Sequence, residues 1–206
     1  MLEHVPGWLG RALSGLRAGV DKLAIVELGA GVPELELMSP AFPHEGRMPP
    51  RFTADGEGWS PPLVWTDPPE GTASLALLVE DADAPTPQPL VHAVVWGLQP
   101  AAGQFVEGGI APDGDGWKGR DIGRNSFFGE GWLPPDPPPG HGEHRYAFQL
   151  FALGPGAPDP GGNPGRSALL EAMRGHVLAA GLLVGTYSRE EPAAAGPAAS
   201  TARAQT

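Results

Sequence analysis

GWLPPDPPPGHGEHRY, at residues 131–146, combines a rigid backbone with titratable side chains in one short stretch. Its five prolines each fix φ near about −65° and remove a backbone N–H, so the stretch is neither a helix interior nor a central strand. Gly140 and Gly142 then allow the chain to turn sharply. Apolar residues alternate from Tyr146 onward and predict a strand, so His144 and Tyr146 lie where a stiff loop enters a sheet. We interpret the stretch as one wall of a pocket, and an ordinary proline-rich surface loop is the alternative.

The composition fits a single domain built from short elements. A chain of 206 residues can bury one core, and its 31 glycines and 26 prolines interrupt apolar runs instead of forming a low-complexity tract. A net charge of −11 argues against a surface that binds nucleic acid or anionic membrane, since both need a basic footprint. Because the sequence has no cysteine, it excludes a disulfide framework, a thiol nucleophile and a cysteine-ligated zinc site.

The two ends of the chain differ from its middle. Residues 1–31 carry apolar residues three and four positions apart and predict an N-terminal amphipathic helix. This helix would pack on the domain or on a second subunit, with a membrane or partner-binding helix as the alternative, and its apolar stripe favours a homodimer. Residues 190–206 hold no large apolar residue and predict a disordered tail rich in Ala and Pro, which leaves residues 32–189 as the folded domain.

No segment predicts membrane insertion or secretion. The longest apolar runs fall short of the about 18 residues that a spanning helix needs. The N-terminus also lacks the charged, apolar and small-residue regions of a secretory signal. We therefore expect a cytoplasmic protein with no integral membrane segment.

Between residues 32 and 189 the pattern is that of a sheet protein. Short apolar runs bounded by turn residues predict strands at residues 34–38, 60–65, 74–79, 91–96, 146–153 and 182–187. One internal helix is predicted from about residue 167 to residue 180. Repeated strands with so little helix favour a mainly β fold, an antiparallel β-sandwich, over alternating βαβ units.

A second polar stretch, DADAP at residues 81–85, directly follows the predicted buried strand at residues 74–79. A carboxylate at a strand exit costs desolvation free energy unless it is paired, so Asp81 and Asp83 each need a partner. His92 lies in the next strand, among small and β-branched residues, and taken alone it is typical of a hydrogen-bonded core histidine. Together with His144 and Arg145 it predicts a polar site where strands meet loops.

Taken in order, these stretches resemble the phosphatidylethanolamine-binding protein family, and most nearly its bacterial Raf-kinase-inhibitor-like branch. The resembling segments are SPPLVW at residues 60–65, DADAP at 81–85, VH at 91–92, PPPGHGEHRY at 137–146 and GTYSR at 185–189. The resemblance covers residues 34–189. It implies a Greek-key β-sandwich with peripheral helices and a small pocket for phosphate, phosphorylated head groups or similar anions.

The resemblance also implies a set of site residues. The ligand-binding positions would be Asp81, Pro85, His92, Asp136, Pro137, His144 and Tyr146. A protonated imidazole, a phenol O–H and a backbone N–H are donors that suit an oxyanion, and Asp81 would orient a histidine instead of touching the anion. Asp83 and Arg145 would form a buried ion pair that joins the two motifs, and the Ala84–Pro85 peptide is a candidate for cis geometry.

Four positions depart from the family pattern. Ala82 stands where Pro is usual, which should matter little because Ala accepts the same extended backbone. Trp132 stands where Tyr is common, which removes a hydroxyl, and Pro134 stands where Gly is usual. Asp136 occupies a position usually held by Gly or Cys. A carboxylate of Asp136 that faced the pocket would repel phosphate, whereas one that pointed outward would leave its backbone N–H available.

The function that follows is non-catalytic binding of a small anion, a phosphate or a phosphorylated head group, with a kinase or protease as a candidate protein partner. A hydrolase or metal-dependent enzyme using His92, His144, Asp81 and Asp83 is one alternative. An interaction protein with a vestigial pocket is another. The sequence contains no HExxH, GxSxG or GxxxxGK[ST] motif, so we expect no enzymatic activity and no cofactor.

Overall fold

The computed structural model describes residues 6–112 and 121–189, which form a mainly β fold. Its α-helices in these ranges are α1 (Gly7–Leu13), α2 (Ala24–Leu28) and α3 (Arg166–Met173). Its strands are β1 (Leu37–Met38), β2 (Gly46–Arg47), β3 (Leu63–Trp65), β4 (Ser74–Asp81), β5 (Leu90–Leu98), β6 (Gly103–Phe105), β7 (Asp121–Ile122), β8 (His144–Leu153) and β9 (Val177–Tyr187). Short turns of 3-10 helix lie at Val20–Lys22 and Pro50–Phe52.

The strands form two sheets. The larger has the order β2-β9-β8-β4-β5-β7 and the smaller has the order β1-β3-β6, an arrangement compatible with Greek-key connections. The named strand pairs are antiparallel except β2 with β9, where Gly46 and Arg47 pair with Gly185 and Thr186 in parallel. The predicted mainly β, antiparallel architecture is confirmed, and β2 is a two-residue parallel addition at its edge. A side chain at position 185 would lie 2.6 Å from Met48 Cγ, so Gly185 is what lets the chain around β2 approach β9 this closely.

The main core lies between the two sheets. Leu77 of β4 and Phe148 of β8 belong to the same buried cluster as Leu63 and Trp65 of β3. β4 is buried along seven of its eight residues, which explains why its sequence is a continuous apolar run and not an alternating one. The core thus positions the ends of β4, β5 and β8, where both polar motifs lie.

Helices α2 and α3 pack on the outer face of the larger sheet, where α3 buries Leu169 and Met173. Glu80 of β4 is fully buried and forms an ion pair with Arg166 at the start of α3. The backbone N–H of Ala24, the first residue of α2, donates to the same carboxylate at 2.9 Å. A buried carboxylate needs such partners, and this one ties both helices to the sheet.

The internal helix α3 is shorter than predicted. It ends at Met173, Gly175 adopts a φ of 76°, and the chain from Val177 to Tyr187 forms β9 beside β8. The expectation of helix up to residue 180 is wrong because a left-handed glycine ends the helix there. Pairing with the full length of β8 then outweighs the helical spacing of the apolar residues that follow.

The predicted single helix at residues 1–31 is also wrong. The structure has α1, then an extended segment in which Gly19 has a φ of 106°, then one 3-10 turn and α2. The physical reason is pairing with the domain, since the N–H groups of Ala18 and Gly19 donate to the carbonyls of Ala84 and Ala82, both at 2.9 Å. We call residues 6–19 the N-terminal arm.

The predicted tail at residues 190–206 lies outside the described residues. Within the described ranges, none of the helices has the length and apolar character that crossing a membrane requires. Part of the predicted N-terminal apolar stripe is covered by the domain itself, because Leu23 and Ala24 are buried, while Leu16 and Val20 are exposed.

Candidate functional site

A cavity of about 370 Å³ lies where the acidic motif (residues 81–85) meets the proline loop (residues 131–143). Of the residues predicted to bind a ligand, all but Tyr146 line it: Asp81, Pro85, His92, Asp136, Pro137 and His144. The rest of the wall is mainly apolar and includes Ala54, Ala84, Leu90, Phe127, Leu133 and Pro134. Tyr146 lies next to the cavity, with its ring edge-on to that of His92 at a centroid distance of 5.1 Å.

The proline loop is held in place by main-chain hydrogen bonds. The N–H of Leu133 donates to the carbonyl of His92 at 2.7 Å, and the N–H of Ala54 donates to the carbonyl of Pro135 at 2.9 Å. Trp132 adds packing, since its ring stacks on Phe148 with centroids 5.9 Å apart. Main-chain bonds in both directions, together with prolines that fix φ, hold the loop against its neighbours, so the wall is rigid.

The acidic motif turns without a cis peptide before Pro85, the position that was a candidate for one. The Ala84–Pro85 peptide is trans. The N–H of Thr86 donates to the carbonyl of Ala84 at 2.8 Å, and the N–H of Asp83 donates to Oδ1 of Asp81 at 2.8 Å. These two local bonds make the turn, so trans geometry suffices.

His92 presents an acceptor at the cavity. Its Nδ1 lies 2.6 Å from the carbonyl of Leu133, so Nδ1 carries the proton and donates it. Burial lowers the pKa of His92, so the ring is neutral near pH 7 and its Nε2 is a lone pair. Among the described residues, this Nε2 has no hydrogen-bond partner.

Tyr146 supplies the matching donor. Its side chain is fully buried, and its hydroxyl also has no hydrogen-bond partner within the described part of the chain. Burial, together with the negative charge of Asp81, raises the pKa of Tyr146 well above its usual value, so the hydroxyl keeps its proton. Buried polar atoms of native proteins are rarely left unpaired, and two of them on rings that are in contact indicate a place for a ligand or for ordered water.

Asp81 and His144 belong to a chain of hydrogen bonds that leads away from the cavity. Oδ2 of Asp81 lies 2.8 Å from Nδ1 of His144, and Nε2 of His144 lies 2.7 Å from Nδ1 of His141. Nε2 of His141 lies 2.9 Å from the carbonyl of Leu13 in the N-terminal arm. Both ring nitrogens of His144 are therefore engaged, and His144 is not placed to donate a proton to a ligand.

Asp83 of the acidic motif and Arg145 of β8 form the ion pair that was predicted. Arg145 donates from Nε and Nη2 to the two carboxylate oxygens, both at 2.7 Å, and its backbone N–H adds a third bond at 2.8 Å. Arg17 of the N-terminal arm contacts the same carboxylate at 2.6 Å. Burial by itself would raise the pKa of Asp83, but the bonds from Arg145 and Arg17 outweigh it and lower the pKa to about 2.

Asp136 lines the cavity and is ion-paired. Its carboxylate lies 2.6 Å from Nη1 of Arg189, and Nε of the same arginine donates to both oxygens of Asp55. The same guanidinium reaches the carbonyl of Pro137 at 3.2 Å. Asp136 thus neither points away from the pocket nor fills it, because a cavity remains beside its paired carboxylate.

Sequence reasoning missed four side chains that shape this site: Arg17, Asp55, His141 and Arg189. The spacing of His141 and His144 across Gly142 was a usable signal, because a tight glycine turn brings side chains three residues apart together. Arg17, Asp55 and Arg189 gave no local signal, since each reaches its partners from more than 50 residues away along the chain.

Fold and site together define a β-sandwich protein with a small cavity between two polar motifs. A model of the phosphatidylethanolamine-binding protein family matches residues 38–188, well over half of the chain. The chain belongs to this family, which confirms the resemblance seen in the motifs.

Relatives and solved structures agree with this assignment. A UPF0098 protein of Methanothermobacter thermautotrophicus is 38% identical over 160 residues, which cover 75% of this chain and 99% of the relative. A UPF0098 protein of Chlamydia muridarum is 35% identical over 76% of this chain and 100% of its own length. The crystal structure of CT736, a PEBP homolog from Chlamydia trachomatis, is similar at 33% identity with a TM-score of 0.67, over 76% of this chain and 98% of that one. The crystal structure of Escherichia coli YbcL, a member of the mammalian PEBP family, is similar with a TM-score of 0.69 at 25% identity. The match covers 76% of this chain and 99% of YbcL.

Proposed function

We propose that this chain is a non-catalytic protein that binds a small, singly protonated oxyanion in the cavity between the acidic motif and the proline loop. One observation carries the proposal: the rings of His92 and Tyr146 are in contact beside the cavity, and neither the buried acceptor His92 Nε2 nor the buried donor Tyr146 Oη has a partner in the described residues. A phosphate monoester with one proton offers a P–OH to the first and a P–O⁻ to the second. A lone anion without a proton satisfies the tyrosine and leaves the histidine unpaired.

The charges around the cavity favour the same ligand. Asp81 and Asp136 both line the wall, and each already has a cationic or imidazole partner in His144 or Arg189. Two carboxylates repel a dianion more than a monoanion, whatever their own pairing. The mainly apolar remainder of the wall suits a short organic substituent on the phosphate.

The enzyme alternatives find less support. The hydroxyl of Ser60 accepts a bond from the N–H of Ile110 at 3.0 Å, and that of Ser126 accepts one from Val91 at 2.8 Å, so neither is presented to a base in the cavity. No group of three His, Cys, Asp or Glu side chains in the described residues is arranged to hold a metal ion. The remaining alternative, an interaction protein with a vestigial pocket, would require the cavity to be closed, and its volume argues against that.

The test is an NMR titration of the imidazole signals with inorganic phosphate and with phosphoethanolamine. We expect the signal of His92 to shift with a Kd between about millimolar and micromolar, and that of His176, which lies outside the cavity, to stay unchanged. Because the complex holds a proton that the ligand loses above its second pKa of about 6, affinity falls up to tenfold per pH unit as pH rises from about 6 to about 8. Unchanged His92 signals at millimolar concentrations of both ligands would remove the proposal.

The two ligands also separate the sources of the phosphoryl group. Tighter binding of phosphoethanolamine than of phosphate indicates a head group or metabolite with an organic substituent, and equal binding indicates free phosphate. H92F, which keeps an aromatic ring but no acceptor, should lose binding of both. Regulation of a kinase or protease, a homodimer and a cytoplasmic location stay predictions, and the solution mass of the full chain checks the dimer.

A further inference from the structure

The N-terminal arm lies across both motifs. Beside the main-chain bonds from Ala18 and Gly19 to the acidic motif, Arg17 donates to the carbonyl of Glu143 at 2.9 Å. In α1, a Cβ at Gly10 would lie only 2.0 Å from the carbonyl oxygen of Pro139, so the helix touches the proline loop with its backbone. The N-terminal arm therefore contacts the domain closely at several points along its length.

The hydrogen-bond chain that links the arm to the cavity contains one more proton than two neutral imidazoles carry. A carbonyl only accepts, so Nε2 of His141 must donate to Leu13. The carboxylate of Asp81 likewise takes a proton from Nδ1 of His144. The 2.7 Å contact between Nδ1 of His141 and Nε2 of His144 then needs a third proton, because two lone pairs at that distance repel.

We propose that this third proton, shared by His141 and His144, holds the N-terminal arm on the domain, so that the arm is released when the proton is lost. In the protonated state the three bonds run unbroken from Asp81 to Leu13. Without the proton, the bond between the imidazoles is lost and His141 is no longer fixed against the arm. The wall residue His144 thereby connects arm and cavity.

The charges that face the two rings agree with a proton placed on the His144 side. Burial, with the positive charges of His144 and Arg17, lowers the pKa of His141, which keeps that ring neutral. His144 instead contacts the carboxylate of Asp81 directly. The other nearby charges, Asp83 with Arg145 and Arg17, are paired with each other, and His92 is neutral. Asp81 is thus the counter-ion of the shared proton.

The sign of the pH dependence follows. The docked arm, with three protons along the hydrogen-bond chain, binds one proton that the released arm does not, so docking weakens as pH rises and that proton is lost. Loss of one charge-assisted hydrogen bond changes an equilibrium by roughly 10- to 100-fold. Arm opening should rise by that factor over the transition.

Thiol labelling of a single introduced cysteine measures this opening, because the natural chain has none. Ala18 is 2% exposed in the docked arm, so the cysteine of A18C reacts only when the arm opens. Labelling rates of the full chain are compared from about pH 5.5 to about pH 8.5 and divided by the rate of free cysteine at the same pH, since the thiolate is the reactive species. A152C, at a fully buried position of β8, reports opening of the whole sandwich and serves as the matched control.

Three variants in the A18C background separate the proton from the packing. H141Q has an amide that can donate to a neutral His144 or accept from a protonated one, so the arm is held in either state of His144 and labelling should depend little on pH. H141F loses both bonds and should label fast throughout. G10A displaces α1 from Pro139 without touching a histidine and should also label fast. Equal protection at both ends of the pH range in the parent A18C chain, or the same pH dependence in H141Q, would overturn the proposal.

The coupling to the cavity rests on the proposed function and has its own measurement. Inorganic phosphate that binds beside His144 should favour the protonated pair, and it should slow labelling of A18C at about pH 7.5 but not in H92F. Phosphate that shifts the His92 signal yet leaves labelling unchanged would refute the coupling. If the His92 signal does not move, the proposed function fails, while the pH response of A18C still decides whether the proton holds the arm.

Discussion

Replacing Asp83 with Asn removes a fully buried carboxylate that pairs with both Arg17 and Arg145, and we expect it to lower stability near neutral pH. The pKa of Asp83 falls from 3.8 to about 2 in the folded chain, because the bonds from the two arginines outweigh the effect of burial. At about 1.36 kcal/mol per pKa unit, this difference corresponds to about 2 kcal/mol. A carboxylate whose pKa is lower when folded stabilises the protein above the unfolded value, so the contribution is present above about pH 4 and disappears as pH falls through about 2.

Urea unfolding followed by tryptophan fluorescence at about pH 6 and about pH 3 measures this contribution. D83N should be less stable than the natural chain by about 2 kcal/mol at the higher pH, and the gap should shrink by about 1 kcal/mol at the lower pH, where part of Asp83 is already protonated in the unfolded chain. E27Q is the matched control, because Glu27 and Arg174 form an exposed pair whose loss should leave stability unchanged. A gap that is the same at both pH values would show that Asp83 acts through packing and not through its charge.

Three further changes probe the site and its support. Y146F should weaken binding of phosphate about tenfold without loss of stability, since the hydroxyl it removes has no partner in the described chain; calorimetry and thermal unfolding measure the two effects. D136N should tighten phosphate binding about fivefold, because it removes a nearby negative charge whose repulsion is worth roughly 1 kcal/mol. Weaker binding of phosphate by calorimetry would show that Asp136 does not repel the anion. R166M leaves the buried carboxylate of Glu80 without its cation, with only the hydrogen bonds from Ala24 and Gln149, and should cost about 3–5 kcal/mol in urea unfolding. The double variant E80Q/R166M should recover part of that loss.

The positions of the core strands were predictable because buried strands have characteristic patterns of apolar residues. The run at residues 74–79 is apolar without alternation, as a strand covered on both faces must be, and it forms most of β4. β2, β6 and β7 could not be found in this way, because each has only two or three residues and gives no period. The same limit explains the misplaced end of α3, where residues 177–180 suit either a helix or a strand and only pairing with β8 decides.

The site was predictable where its residues come from contiguous motifs and unpredictable where the fold supplies them. Asp81, His92 and His144 carry motif signals, and the structure places all three at one cavity. Their donor and acceptor roles were not predictable, because roles depend on neighbours. His92 is an acceptor only because the carbonyl of Leu133 takes its Nδ1 proton, and His144 is occupied only because His141 reaches it across Gly142.

An acidic protein with two carboxylates at its cavity can still hold an anion if the ligand brings its own proton. Asp81 and Asp136 are each held by a partner, so neither competes for the donor of Tyr146 Oη. The neutral His92 then needs a hydrogen to accept, and a protonated oxyanion supplies it while exposing its charge to the tyrosine. The direction of the pH dependence is therefore the decisive property. Affinity that rises with pH would mean that a fully ionised ligand is preferred, and the assignment of His92 as the acceptor would have to be given up.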